Sequence, residues 1–154
     1  MKSKEIITHS AAETKRLGKI LAEEILKTKS EGALIIGMEG DLGSGKTSFI
    51  QGMAKGLGIK GKITSPTFVI LKKYKIPKTV RCLYHIDCYR VQADDLIDLG
   101  FKEIAENPQN IIVIEWAERA KKILKNASWI EFEYLGEDER GIKYKDTPCQ
   151  RKCS

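Results

Sequence analysis

The stretch that decides the fold is residues 33–50, which reads ALIIGMEGDLGSGKTSFI. It begins with an apolar run of strand length that ends in Glu39, as expected of a strand buried on both faces. A glycine-rich turn follows, and apolar residues then return at helical spacing. Residues 40–47, GDLGSGKT, match G-x-x-x-x-G-K-[ST] in full, between the strand and the helix that this motif requires. The stretch therefore predicts a phosphate-binding loop (P-loop).

The chemistry of such a loop is local. Glycines let the backbone curl so that successive N–H groups form a nest for an anion, and the following helix adds its N-terminal donors. We expect Lys46 to reach the β- and γ-phosphates and the Thr47 hydroxyl to bind Mg²⁺. The pattern thus predicts a nucleoside triphosphate site made of Asp41, Leu42, Gly43, Ser44, Gly45, Lys46, Thr47 and Ser48.

Hydrolysis of the triphosphate also needs an acidic residue near the metal and the attacking water. Glu115 follows the apolar run 111–114 in the strand predicted at 110–116, and the carboxyl edge of a parallel sheet is where such a side chain meets a ligand. It is either a metal partner or general base, or simply the first exposed position of the strand. Given the P-loop, a functional role as metal partner or general base is the favoured interpretation.

Three further residues are candidates near the γ-phosphate. Asp87 closes the predicted strand 81–87, and His85 lies on the same face. Either the pair reaches toward the phosphates, or Asp87 is a helix cap and His85 an orienting or packing residue. Thr67, in Ser65-Pro66-Thr67, lies where other nucleotide switches place a hydroxyl that senses this phosphate. By itself that segment would be an ordinary turn before a strand.

The remaining pattern alternates strands with helices, which favours an α/β sheet with a largely parallel centre and an antiparallel extension at the end of the chain. Ser10 and Glu13 form a possible capping box. The predicted helices are 11–28, 47–57, a region over 93–106 broken near Gly100, and 117–125, and the predicted strands are 33–39, 67–74, 81–87, 110–116, 129–134 and 140–145. We expect residues 1–154 to be a single domain with a polar tail from about 146.

Composition fits a folded cytoplasmic protein, with 42% hydrophobic and 31% charged residues and no apolar run near the roughly 20 residues that cross a bilayer. No apolar segment follows the N-terminus, so export is not expected. Cys82, Cys88, Cys149 and Cys153 lack C-x-x-C spacing and are expected to be free thiols.

The net charge of +6 suits an anionic partner but identifies none. Lysines concentrate around the strand predicted at 67–74. They form a solvated basic face, a surface for an acidic protein, or a tRNA contact, and no RNA-reading motif accompanies them. The lysines are Lys60, Lys62, Lys72, Lys73, Lys75 and Lys78.

Four motifs in this order resemble the bacterial TsaE family: GDLGSGKT (40–47), SPTF (65–68), HIDCYR (85–90) and IEW (114–116). The resemblance runs from about residue 8 to residue 145. It implies a P-loop NTPase-like sheet with helices on both faces, and an ATPase subunit of the machinery that makes N6-threonylcarbamoyladenosine at position 37 of tRNAs reading ANN codons. Such a protein works with TsaD and TsaB, meets tRNA through that complex, and does not itself transfer the threonylcarbamoyl group.

The resemblance also implies residue roles. Thr47 and Glu115 match the family's Mg²⁺ contacts, Asp87 its other essential acid, and Arg140 an arginine that contacts the nucleotide. Ser10 and Ala11 fall where the family approaches adenine. The expected catalytic set is Lys46, Thr67, Asp87 and Glu115, with ATP and Mg²⁺ as cofactors.

The sequence departs from the family at two places. Ala117 stands where the family usually has proline after the Glu-Trp pair, so the following loop is expected to be less rigid, and the tail 146–154 has no family pattern. Trp116 and Tyr89 either stack on a base or, as is more common for such aromatics, pack in the core.

Other functions remain alternatives. A small-molecule kinase needs an acceptor pocket and usually an arginine-rich lid, but Arg90, Arg119 and Arg140 are scattered in sequence. A GTP switch lacks support because there is no N-K-x-D motif. A non-catalytic, nucleotide-dependent adaptor is disfavoured by Glu115, although a partner-dependent ATPase can be almost idle alone.

Overall fold

The computed structural model describes residues 3–41, 43–61, 63 and 70–145. One seven-stranded sheet is flanked by helices. The strands are β1 (Ser3–Thr8), β2 (Leu34–Glu39), β3 (Leu71–Lys75), β4 (Cys82–Asp87), β5 (Asn110–Glu115), β6 (Ser128–Tyr134) and β7 (Arg140–Lys145). The helices are α1 (Ala11–Leu26), α2 (Lys46–Gly56), α3 (Ala93–Asp98) and α4 (Phe101–Glu106), with a 3₁₀ helix at Ala117–Ile123.

The strand order is β1-β7-β6-β2-β5-β4-β3. The four central strands β6, β2, β5 and β4 pair in parallel, while β7 and β1 on one side and β3 on the other are antiparallel. This confirms the predicted parallel centre and the extension by the late strand pair, and adds an antiparallel strand at the opposite edge. The carboxyl ends of β2, β5 and β4 therefore lie side by side.

Two apolar layers cover the sheet, which confirms helices on both faces. The first includes residues of α1 and α2, such as Ile25 and Ile50, packed on Met38 and Ile111. The second includes α3, α4 and the 3₁₀ helix, with Leu96 and other side chains packed on the opposite face. All six residues of β5 are buried, because this strand is covered on both faces.

Glycines let α1 and α2 approach closely. A β-carbon on Gly18 of α1 would overlap the carbonyl oxygen of Phe49, and one on Gly52 of α2 would overlap that of Lys15. The helix that follows the P-loop is thus seated against α1 by backbone-to-backbone packing, which fixes the position of its N-terminus.

The structure differs from the sequence prediction in several elements. Strand β1 was not predicted, because SKEIIT shows no strand alternation and, among the described strands, pairs with β7 alone at the sheet edge. The helix predicted at 117–125 is a 3₁₀ helix, since Trp116 before it has a left-handed backbone and Ala120 departs from helical angles.

Two other boundaries also differ. Helix α1 ends at Leu26 rather than near residue 28, and β3 begins at Leu71, whereas residues 67–69 of the predicted strand lie outside the described residues. Within the described part of the chain, no helix is both long and apolar enough to cross a membrane.

Candidate functional site

The P-loop connects the end of β2 to the start of α2, as the motif predicts. Gly40 and Gly45 adopt φ values of 144° and 104°, which favour glycine, and a β-carbon on Gly40 would lie 2.5 Å from the Phe132 carbonyl oxygen. Gly45 is the N-cap of α2, and its carbonyl accepts from the Phe49 N–H at 3.0 Å. The first N–H groups of α2 therefore face the loop without a side-chain cap.

Lys46 is the first residue of α2 and is almost completely buried. Its ammonium group donates to the Gly40 carbonyl and lies 3.8 Å from the centre of the Trp116 ring. Burial lowers the pKa of Lys46, although the nearby carboxylates of Glu115 and Asp87 act in the opposite direction. The side chain is thus folded back on the loop, beside the acidic residues.

The two predicted acids lie next to each other. Asp87 and Glu115 are register partners at the ends of the parallel strands β4 and β5, and both are buried. Asp87 Oδ1 accepts from the Tyr89 N–H at 2.9 Å, and His85 Nε2 lies 2.8 Å from Glu115 Oε2. Asp87 therefore stabilises the turn that follows β4, and it also lies beside Glu115 at the carboxyl edge of the sheet.

A cavity of about 470 Å³ opens at this edge of the sheet. Its walls come from the P-loop, the start of α2, the ends of β4 and β5, helix α1 and the β6–β7 turn. Four carboxylates and two cationic side chains line it. The lining residues are Ala11, Thr14, Gly43, Ser44, Gly45, Lys46, Thr47, Ser48, Asp87, Tyr89, Glu115, Trp116, Glu137, Asp138 and Arg140.

Arg140 ties the β6–β7 turn to the P-loop. Its Nε donates to the Gly43 carbonyl at 3.0 Å, and Nη1 donates to the carbonyl of Gly136 at 2.6 Å and that of Glu139 at 2.8 Å. The guanidinium also stacks over the Tyr134 ring. A side chain held in this way both lines the cavity and keeps the turn in place over the loop.

The aromatic residues Tyr89 and Trp116 pack on each other, with ring centres 5.1 Å apart, and both line the cavity. Trp116 is half-buried and presents its ring to the Lys46 ammonium. Both rings pack, which is the commoner of the two predicted roles. They do so at the wall of the cavity, however, and not inside the core as predicted.

The structure brings most of the predicted site residues to one place. Ala11, residues 43–48, Asp87, Glu115 and Arg140 line the cavity. Ser10 and Asp41 do not: the Ser10 hydroxyl caps α1 by accepting from the Glu13 N–H at 3.1 Å, and the Asp41 carbonyl accepts from the Ser44 N–H. Leu42 and Thr67 lie outside the described residues.

Sequence reasoning missed three lining residues. Thr14 lies on α1 with its hydroxyl 2.7 Å from that of Thr8, and Glu137 and Asp138 form the β6–β7 turn. Neither feature is distinctive in a sequence, because many proteins have a threonine one turn after a helix cap or an acidic turn between strands. These residues reach the cavity because α1 and the β6–β7 turn fold over the P-loop.

The donor set fits a nucleotide with a hard cation. Ser44 Oγ is buried in the loop and has no hydrogen-bond partner among the described residues. The Thr47 hydroxyl and the carboxylates of Asp87 and Glu115 are oxygen ligands of the kind that Mg²⁺ prefers. Among the described residues, no group of three or more histidine, cysteine, aspartate or glutamate side chains is placed to hold a metal ion.

Comparison with known proteins places these features in a family. The family model of the threonylcarbamoyl adenosine biosynthesis protein TsaE matches residues 8–143. A tRNA threonylcarbamoyladenosine biosynthesis protein TsaE from Haemophilus influenzae is 35% identical over 83% of this chain and 80% of its own length. The protein of the same name from Treponema pallidum is 36% identical over 88% of this chain and 96% of its own.

A solved structure agrees with the sequence relatives. The crystal structure of YdiB from Bacillus subtilis superposes with a TM-score of 0.76 and 33% identity, covering 94% of this chain and 86% of that one. The resemblance first seen in four short motifs thus extends over the fold, and the chain belongs to the TsaE family.

Proposed function

We propose that this chain binds ATP with Mg²⁺ in the cavity at the P-loop, and hydrolyses it during formation of threonylcarbamoyladenosine on tRNA. One observation carries the proposal. In a chain of the TsaE family, the P-loop opens on the same cavity as two buried carboxylates, Asp87 and Glu115, at the ends of adjacent parallel strands. The loop would bind the triphosphate. The carboxylates would be the acidic groups that hydrolysis needs near the metal and the attacking water.

Binding follows from groups that already face the cavity. The N–H groups at the start of α2 and the adjoining loop provide donors for phosphate oxygens. The Lys46 ammonium would leave the Gly40 carbonyl for the β- and γ-phosphates, because a charge-assisted hydrogen bond to phosphate is stronger than one to a neutral carbonyl. Ser44 Oγ would gain a hydrogen-bond partner, which it lacks among the described residues.

The charge of the walls supports nucleotide binding together with a cation. Lys46 and Arg140 face four lining carboxylates, so that a bare triphosphate would meet unfavourable charge on the acidic side. Mg²⁺ neutralises phosphate charge when it is bound, and Thr47 and Glu115 are the residues that would hold it. Their oxygen donors are of the right chemical type.

Hydrolysis moves a water oxygen onto the γ-phosphorus while the bond to the β–γ bridging oxygen breaks and the water gives up a proton. Asp87 and Glu115 are the carboxylates beside the phosphate nest that could orient this water and accept the proton. With Glu115 assigned to the cation, Asp87 is left for the water. Thr67, outside the described residues, remains the proposed sensor of the γ-phosphate.

Adenine would lie toward α1. Ala11 lines that side of the cavity, whereas the Ser10 hydroxyl is engaged in capping α1. Ser10 therefore contributes to the nucleotide site by fixing the start of α1, and Arg140 by holding the β6–β7 turn against Gly43 while it faces the cavity.

The pathway comes from the relatives, whose names assign them to threonylcarbamoyladenosine biosynthesis on tRNA. The partners that the resemblance implies are TsaD and TsaB, with tRNA bound through their complex. Chemical transfer of the threonylcarbamoyl group would belong to the partners, and ATP hydrolysis here would support their turnover.

The test is ATP hydrolysis by the purified chain alone, with TsaD and TsaB from the same organism, and with tRNA added. We expect slow hydrolysis alone and a clear increase with the partners. The control is Glu115→Gln, which should bind ATP but lose the partner-stimulated rate by about 100-fold or more. Equal rates in the wild type and this variant, or no stimulation by the partners, would contradict the proposal.

A further inference from the structure

His85 is a buried residue that the mechanism above does not use. Its side chain is 1% exposed and is not among the residues that line the cavity. Its Nε2 atom lies 2.8 Å from Glu115 Oε2, which is a hydrogen-bond distance. With Glu115 ionised, as binding of a cation requires, the carboxylate can only accept, and His85 Nε2–H is the donor of this hydrogen bond.

The other ring nitrogen, Nδ1, indicates that packing alone does not explain a histidine at this position. His85 Nδ1 is buried and makes no hydrogen bond in the part of the chain that the structure describes. A buried polar atom without a partner lowers stability, so an apolar side chain of similar size would fill the position better. What an apolar side chain lacks is the donor to Glu115.

The strand register directs this donor toward the site. His85 pairs with Val113 of β5, and Asp87 pairs with Glu115, so that His85 lies two residues behind the carboxyl edge. From there the ring reaches forward to one oxygen of a carboxylate at the cavity wall. A glutamate side chain has several rotatable bonds, and this hydrogen bond restricts them.

We propose that His85 is a positioning residue, which holds the Glu115 carboxylate in the orientation that binds a divalent cation beside the nucleotide. The inference rests on the proposed function, since it assumes that Glu115 contacts this cation. It assigns His85 no contact with nucleotide, cation or water. The hydrogen bond acts only through Glu115, as partners of metal-binding carboxylates commonly do.

Two substitutions of His85 place an amide nitrogen at the position of one ring nitrogen or the other. In His85→Gln the amide nitrogen reaches about as far from the backbone as Nε2, whereas in His85→Asn it reaches only about as far as Nδ1. The glutamine variant can therefore still donate to Glu115, and the asparagine variant cannot. Both variants are compared with the wild type in thermal unfolding to confirm that they fold.

The measurement is calorimetric titration of each full-length protein with ATP, once with Mg²⁺ and once with EDTA. The quantity compared is the gain in affinity that Mg²⁺ provides. We expect this gain to fall by about 10-fold in His85→Asn and to be largely kept in His85→Gln, with unchanged affinity in EDTA. If His85→Asn does not fold, His85→Leu replaces it as the variant without a donor, with the same expected loss.

Two results would overturn the inference: a wild-type Mg²⁺ gain in the variant without a donor, or an equal loss in His85→Gln. Both leave the proposed function standing, because the wild type still binds ATP with Mg²⁺. A folded wild-type protein that binds no ATP under either condition contradicts the proposed function instead, and the role of His85 with it.

Discussion

Asp87 both stabilises a turn and lines the cavity at the P-loop. Its Oδ1 accepts from the Tyr89 N–H, and the residue also lines the cavity. Asp87→Asn separates the two roles, because the asparagine oxygen can still accept while the charge is lost. We expect near wild-type thermal stability and a fall of about 100-fold or more in partner-stimulated ATP turnover. Wild-type turnover in this variant would reduce Asp87 to a cap.

Lys46 illustrates a conflict between stability and function. Because burial lowers its pKa below the ordinary value, the unfolded chain holds this proton more tightly than the folded protein does. This contribution makes stability rise as pH increases through the folded pKa toward 10.5, as the lysine loses its charge. At neutral pH the charged side chain is a cost to the fold.

Lys46→Met removes that cost while keeping a similar stem. We therefore expect a higher free energy of unfolding than wild type at pH 7, and a smaller difference as pH approaches 10.5. Urea denaturation at several pH values measures both. A variant no more stable than wild type at pH 7, or a difference that grows with pH, would show that burial of Lys46 is not destabilising.

How far the sequence predicts a site residue depends on whether its role is local. Lys46 and Thr47 were predicted from the motif alone, because neighbouring residues make the nest. The hydrogen bond between His85 and Glu115 joins residues 30 positions apart and depends on strand pairing. The sequence therefore left open whether His85 reaches toward the phosphates, orients another residue or packs. Arg140 was predicted only by resemblance, since its contact with Gly43 requires the β6–β7 turn to fold over the loop.

At the level of elements, the packing of α1 against α2 explains why glycine lies inside a helix. Alanine normally stabilises a helix interior by about 1 kcal/mol relative to glycine. At Gly52 the added β-carbon would overlap the Lys15 carbonyl, so Gly52→Ala should instead destabilise the protein by about 1–3 kcal/mol. Chemical denaturation measures the effect.

Gly136→Ala is the matched control for this prediction. Nothing lies within 4 Å of a β-carbon at Gly136, and the carbonyl that accepts from Arg140 is retained. We expect stability within about 0.5 kcal/mol of wild type for this variant. A Gly52→Ala protein as stable as the control would mean that the helices are not held at this separation.

Helices and strands could be predicted where the apolar residues of the segment itself repeat with the spacing of that structure. The apolar runs of β2 and β5 and the spacing in α1 and α2 gave the centre of the fold, because these segments are buried against several neighbours. Strand β1 was missed because its existence depends on pairing with β7. The 3₁₀ helix was predicted as a helix without its type, since composition does not reveal the left-handed turn at Trp116.

At the scale of the whole molecule, the parallel centre of the sheet produces the site. Alignment of β2, β5 and β4 places the P-loop, Glu115 and Asp87 at one edge, although they are far apart in sequence. The antiparallel pair β6–β7 then closes one side of the cavity through its turn. The cavity at the P-loop is thus a consequence of strand order as much as of the motif.

The most direct test of this account is calorimetric titration of the full-length chain with ATP and Mg²⁺, beside Lys46→Ala and Lys55→Ala. Lys55 lies exposed on the same helix α2, so it controls for the loss of one positive charge. We expect one saturable site in the wild type and in Lys55→Ala, and about 10- to 100-fold weaker binding in Lys46→Ala. Folded wild-type protein without saturable binding at millimolar ATP, or equal affinity in Lys46→Ala, would contradict the account.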